Sequence, residues 1–449
     1  MDYFRFSLRM ICGLSMLFAL SVRTTGADEV LCDAKGVPVK YAGKLSSAKV
    51  IIPRQYTPAA TELRGVWAAT VENLDFPPCT SAEEYMKNFR GMVDKLAAAK
   101  FNALFFQIRP TCDAFYPSKL NAWSGWLTGT PGRGIPNFDP LRFMIAESKK
   151  RNIEFHAWLN PYRVINKTKL SKAAYLATLP PNHFAAKNPQ LVLDVPNGNG
   201  TNLLFLNPGE PAVIDYVVAT VREIVVNYDI ASIHFDDYFY PYTKFGDIDA
   251  AAYQKYARGE ALAAWRRDNV TTLIRRVKTA IAEQNRRSGR NVEFGVSPFG
   301  IWANRKDMPG GSLTAGSQSY VSQFADTRLW VKNRYVDYIL PQLYWPFGHD
   351  VAAYAALTDW WAGEVRGTGV KLYTGLAVYQ LGRGALWQDP MELANQLRYN
   401  NKHPEIKGVV FFRYQSVFAP GNAIMRAGVS RILNDYWKRP AKPPFPAFR

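Results

Sequence analysis

The segment HFDDYFYP sets Asp236 and Asp237 side by side at the end of a short β-rich run. Asp113 lies just past Arg109 in FQIRPTCDAFYPS, while Glu72 and Asp75 follow another such run, RGVWAAT. Carboxylates in these positions suit hydrolysis of a glycosidic bond. One carboxyl, its pKa raised by burial or a neighbouring charge, protonates the leaving oxygen; the other attacks the anomeric carbon or activates water. Aromatic residues make up 14% of the chain, enough to stack on sugar rings as well as to fill a core. Each aspartate taken singly also reads as a turn or cap residue. Other chemistries fit less well. SPFG around Ser297 lacks nucleophile-elbow glycines, Gly382 and Gly384 form no phosphate loop, and the five histidines are scattered with no zinc spacing. No metal and no cofactor are expected.

Eight short β-rich runs must position these groups: 64–70, 102–109, 153–160, 230–236, 292–298, 336–344, 370–379 and 408–414. Helical stretches alternate with them near 81–100, 138–151, 209–228, 249–287, 317–334, 350–366, 389–402 and 421–437. Asp139-Pro140 and Asp389-Pro390 each read as a cap followed by a first helical proline. Eight β-then-α units predict a parallel sheet closed into an α/β, (β/α)8 TIM barrel over about residues 61–437. A doubly wound open sheet is the alternative, but no Gly-rich loop follows the first strand. Residues 28–60 read as a lead-in and 438–449 as a Pro-rich tail. Long loops follow strands two and three, at 111–137 and 161–229, on the rim where barrel enzymes keep their active sites.

Side chains alternate across a strand, and one face points into the barrel. This puts Gln107 with Arg109, and His156 with Trp158 and Asn160. It also groups Ser232 with His234 and Asp236, Gly295 with Ser297, and Gln342 with Tyr344. Arg109, Asn160, Asp236, Ser297 and Gln342 are expected near one level at the mouth, with Asp237 on the opposite face from Asp236. His156 and His234 read equally as ligand contacts or as satisfied core histidines.

The N-terminus speaks to compartment. Arg5 and Arg9 precede the apolar run 10–22 and the small residues Thr24, Thr25, Gly26 and Ala27, the pattern of a cleaved signal peptide over 1–27. The run is short for a membrane span, so no stable insertion is expected after cleavage, and export to the periplasm or cell envelope argues against a nucleic-acid partner. The net charge is +18, and loss of Arg5, Arg9, Arg23 and Asp2 leaves +16, which suits an acidic polysaccharide. Oligomeric state is not legible. Cys79 and Cys112 follow the first two strands; they form either a bridge across the rim or two ordinary buried thiols.

The runs LRGVWAATVENLDFP, FQIRPTCDAFYPS, AWLNPYRV, FLNPGEP, SIHFDDYFYP and PQLYW, in this order from Leu63 to about Tyr414, resemble the glycosyl-hydrolase-like family 10 proteins. The resemblance implies an exported barrel acting on glycans, one branch of the family cleaving peptidoglycan strands stripped of their stem peptides. It marks Arg109, Asp113, Asn160, Tyr162, Asp236, Asp237, Tyr238, Gln342 and Tyr344 as cleft residues. Phe76 stands where many relatives carry Trp, a change that could alter sugar stacking. The seventh strand ends in AVYQ, so the familiar pairing of acids on strands four and seven is absent. The expected catalytic group is Asp236, partnered by Asp113 or Asp237. Gln107, His156, Trp158, His234 and Trp345 join Arg109, Asn160, Tyr162, Tyr238, Gln342 and Tyr344 as candidate substrate contacts. A non-catalytic glycan-binding barrel, a hydrolase of another envelope or dietary polysaccharide, and a metal-assisted esterase or deacetylase are the alternatives. The scarcity of clustered histidines argues against the last.

Overall fold

Each of the eight expected runs is a strand in the computed structural model, which describes residues 28–444. The signal-like segment 1–27 and the last five residues of the tail lie outside the described residues. The strands are β1 Leu63–Ala68, β2 Ala103–Arg109, β3 Glu154–Leu159, β4 Ser232–Phe235, β5 Glu293–Val296, β6 Tyr338–Ile339, β7 Lys371–Ala377 and β8 Ile406–Phe412. Neighbours pair in parallel in chain order, and β8 closes onto β1.

A helix follows each strand: α1 Ala82–Ala98, α2 Pro140–Lys149, α3 Pro211–Asn227, α4 Leu262–Ser288, α5 Thr327–Lys332, α6 Tyr354–Val365, α7 Glu392–Asn400 and α8 Ala423–Arg431. The outward strand faces, including Phe106, Phe155, Ile233, Phe235 and Val296, are buried against this layer. The expected caps divide. Asp139 accepts from the Arg142 amide at 3.0 Å with Pro140 first in α2. At the second site α7 begins only at Glu392; Asp389 accepts from the Met391 amide at 2.8 Å, leaving Pro390 in a turn. The expected helix 249–287 is broken between Ala250–Tyr256 and α4, where Gly259 adopts φ +102°.

The barrel interior is tightly filled. Phe105 stacks on His156 with ring centroids 4.1 Å apart, and His234 lies parallel to Tyr338 at 5.9 Å. Gly295 is required here, because a Cβ at that position would meet the Tyr338 ring at 2.0 Å. This aromatic floor supports the polar mouth above it.

The two long loops build the rim. Residues 161–229 contain a three-stranded antiparallel sheet, in which Asn202–Leu206 lies between Arg163–Thr168 and Val192–Pro196, before α3 begins. The bridge between Cys79 and Cys112 is not formed. Both thiols are free and buried. Cys112 accepts from the Arg109 guanidinium at 3.4 Å, and Cys79 accepts from Asn88 Nδ2 at 3.4 Å, so each is turned toward its own partner.

Candidate active site

At the C-terminal end of the strands lies a cleft of about 480 Å³, lined among others by Trp158, Arg163, Asp236, Asp237, Gln342 and Tyr344. Another cavity, of about 450 Å³, opens at the opposite end beside Tyr56 and His403. Barrel enzymes use the C-terminal face, so the cleft at the mouth is the candidate site.

Strand β4 ends at Phe235, and this decides where the two aspartates go. Asp236 continues the inward face of Ser232 and His234. Asp237 lies beyond the ladder, so strand alternation no longer governs it, and it joins Asp236 in lining the cleft rather than turning to the opposite face. Both are buried, 4% and 5% exposed. Asp236 accepts from Asn160 Nδ2 on both oxygens, at 3.0 and 2.9 Å, from Trp158 Nε1 at 3.2 Å and from the Tyr238 amide at 3.4 Å. The Arg163 guanidinium stands 3.9 Å away, stacked over the Tyr238 ring.

Burial pushes both carboxyls upward, but their neighbours act differently. For Asp236 the rise is opposed by Arg163, Asn160, Trp158 and the Tyr238 amide. For Asp237, burial and the adjacent charge of Asp236 act together and push it up to about 7, against a hydrogen bond from Gln342. The pair therefore keeps a proton on Asp237 near neutrality while Asp236 is the group set up to ionise.

The remaining expected contacts sort by height and face. Gln107, Tyr238, Gln342, Tyr344 and Trp345 line the cleft with Trp158. Gln107 Oε1 accepts from the Thr70 and Val71 amides, both at 3.0 Å, so it also holds the first loop. Asn160 sits behind Asp236, its Oδ1 accepting from the Arg163 amide at 3.0 Å. His156 and His234 belong to the floor below. His156 bonds Ser232 Oγ at 2.7 Å, and His234 contacts Tyr338 and Ser297, both at 3.0 Å. Burial lowers both, His234 to about 3, which keeps them neutral.

Four further expectations are corrected. The pairing register slips between Gln107 and Arg109, so Arg109 falls beside Leu159 on the outward face. There it donates to the Asn160 carbonyl at 2.6 Å and to Asn121 Oδ1 at 3.2 Å, and it does not line the cleft. Tyr162 is fully buried in the outer core, because the turn after β3 sends its neighbour Arg163 to the cleft instead. Asp113 lines a different hollow, where it accepts from the Thr111 amide at 3.0 Å and the Thr111 hydroxyl at 2.8 Å. Phe76 packs on Tyr85 and Phe106 at 5.0 and 5.4 Å and presents no face to a sugar. Asp75, the other acid after β1, clamps the Ala69 amide and Arg413, at 2.8 and 2.7 Å.

The cleft also contains residues the sequence reading passed over: Arg163, Asn166, Tyr242, Phe299, Tyr379 and Phe412. Arg163 stood in the motif AWLNPYRV, three residues past Asn160, and was legible only as a cation close to a strand end. Among the described residues, no three His, Cys, Asp or Glu side chains gather closely enough to hold a metal ion.

A closed parallel barrel with a buried carboxylate pair and aromatic walls at its C-terminal mouth is the architecture of a glycosidase-type barrel protein. The chain belongs to the glycosyl hydrolase-like 10 family, which it matches over residues 62–391. It is 41% identical to the glycosyl hydrolase YngK of Bacillus subtilis (strain 168) over 361 residues, 78% of this chain and 68% of that protein. It is 37% identical to the glycosyl hydrolase DigH of Escherichia coli (strain K12) over 414 residues, 86% of this chain and 90% of that protein. Among solved structures, alpha-L-fucosidase isoenzyme 2 from Paenibacillus thiaminolyticus superimposes with a TM-score of 0.51 at 13% identity. That match spans 83% of this chain but only 49% of the fucosidase, and what it shows is the shared fold.

Proposed function

We propose that the protein is an exported glycoside hydrolase that cleaves O-glycosidic bonds of an envelope polysaccharide, denuded peptidoglycan strands being the substrate, with Asp237 as proton donor and Asp236 as its ionised partner. The observation that carries this reading is the pair itself: two buried carboxyls at one mouth, one opposed by an arginine and three donors, the other pushed up to about 7. Such a division of environments is how one site assigns acid and base roles. Asp237 delivers its proton to the glycosidic oxygen as the C1–O bond breaks, and the leaving sugar departs as an alcohol. Asp236 faces the positive charge that develops at the anomeric carbon. Water then completes hydrolysis, its hydroxyl going to C1 and its proton to the carboxylate pair.

Three things support the polymer. They are the resemblance to the peptidoglycan-cleaving branch, the signal-like N-terminus, and a positive excess suited to an acidic strand. The test is incubation of the purified protein with denuded peptidoglycan strands and a panel of neutral and acidic polysaccharides, with released reducing ends measured. Release from the denuded strands supports the reading. Release only from another polysaccharide moves the substrate, and release from none removes the hydrolase.

A further inference from the structure

Beside the cleft lies a hollow of about 340 Å³ that the catalytic reading does not use. We infer that it is a glycan subsite, binding a neutral pyranose residue of the same polymer whose bond is cut in the cleft; this rests on the proposed function.

The two cavities share a wall one backbone thick. In the turn after β1, Val71 and Leu74 line the cleft while Asn73 lines the hollow. In the strand Arg163–Thr168, Arg163 and Asn166 face the cleft while Val164 and Ile165 face the hollow. A chain lying across this wall would rest in both. Lone small-molecule sites begin at about 300 Å³, so the hollow has room for a sugar ring.

Its chemistry is that of sugar recognition. Trp126 and Trp123 line the hollow half-buried, and Tyr175 adds a third aromatic, side chains of the kind that pack on the apolar face of a sugar ring. Asp113 is 6% exposed and holds two bonds from Thr111, leaving acceptor capacity for a sugar hydroxyl. The amide nitrogen of Asn73 donates to the Phe76 and Trp126 carbonyls, at 3.0 and 2.7 Å, which orients its oxygen as a further acceptor. Apart from His183 the lining carries no basic residue, and burial lowers the pKa of that ring. It is occupied by the Thr111 carbonyl at 3.2 Å and the Ala185 amide at 3.2 Å. A carboxylate with no facing cation repels an acidic sugar and accepts from a neutral one, so the occupant is the residue of the polymer that carries no acid. The long second loop, whose acid the sequence reading assigned to catalysis, serves in this account to extend the binding surface.

The experiment titrates full-length mature protein, made hydrolytically silent by Asp236→Asn, with chito-oligosaccharides from the disaccharide to the octasaccharide, and reads affinity against chain length. In this background affinity should rise with length. Trp126→Ala should remove the gain, about tenfold or more on the long chains, the size of one aromatic hot spot, while leaving the disaccharide unaffected. Thr178→Trp fills the hollow from an exposed rim position and should do the same without opening the interior. If both variants keep the parental dependence on length, the subsite is wrong even where the wild type cleaves glycan. If the wild type cleaves no glycan and no oligosaccharide binds, the hydrolase reading fails and the subsite falls with it.

Discussion

Replacing Asp237 with asparagine should make the protein more stable and less active at once. The folded chain holds Asp237 up to about 7, against an ordinary value of 3.8. Its pKa is raised, so between about pH 4 and pH 7 the folded state keeps a proton that the unfolded state has already released. Stability therefore falls as pH rises through this window and levels off above it. At about 1.36 kcal/mol for each pH unit, ionising Asp237 costs the wild type up to about 4 kcal/mol above pH 7. Asparagine keeps the size, still accepts from Gln342 and never ionises. Urea titration should show Asp237→Asn matching the wild type near pH 4 and exceeding it by up to about 4 kcal/mol at pH 8. The same ionisation removes the proton donor, so wild-type kcat/KM should decline above about pH 7. A variant no more stable than the wild type at pH 8 would refute the argument, because the burial and like-charge repulsion assigned to Asp237 would then be absent.

Arg163→Met should let the pKa of Asp236 rise further, because the guanidinium is the chief influence opposing burial there; the acid limb of the pH–rate profile should move upward, with turnover at pH 5 reduced roughly tenfold or more. Arg109→Met should act on stability, because it leaves the buried Asn160 carbonyl without its donor, while Asn121 Oδ1 keeps only the Tyr216 hydroxyl; a loss of about 3 kcal/mol is expected in denaturant, with KM unchanged where the variant is folded. Alkylation of unfolded, non-reduced protein should label both Cys79 and Cys112; a disulfide-linked peptide pair would contradict this.

The strands were legible because each is a short apolar run between turn residues, and their alternation separated helix layer from interior at nearly every position. It failed at Arg109, where one slip of register reverses a face and no pattern in FQIRP announces the slip. It failed again at Asp237, for a different reason: the strand ends at Phe235, and alternation says nothing of a residue beyond the ladder. The cleft wall supplied by Arg163 was hidden because residues 161–229 fold as a small antiparallel sheet against the rim, a pairing set by contacts distant in sequence. Asp113 lay near the other acids in every sequence argument, and only the backbone wall through Asn73 separates it from them. What the linear pattern carried was the scaffold and the carboxylate pair; what it did not carry was which side of a loop each neighbour faces.

Cleavage of a glycosidic bond by Asp236 and Asp237 is tested most directly by reducing-end release from denuded peptidoglycan strands by Asp236→Asn beside the wild type. Asparagine keeps the size of the side chain but removes the charge that faces the anomeric carbon. Turnover should fall by about 10²–10⁴-fold while strand binding and thermal stability persist. Turnover by Asp236→Asn close to that of the wild type would contradict it.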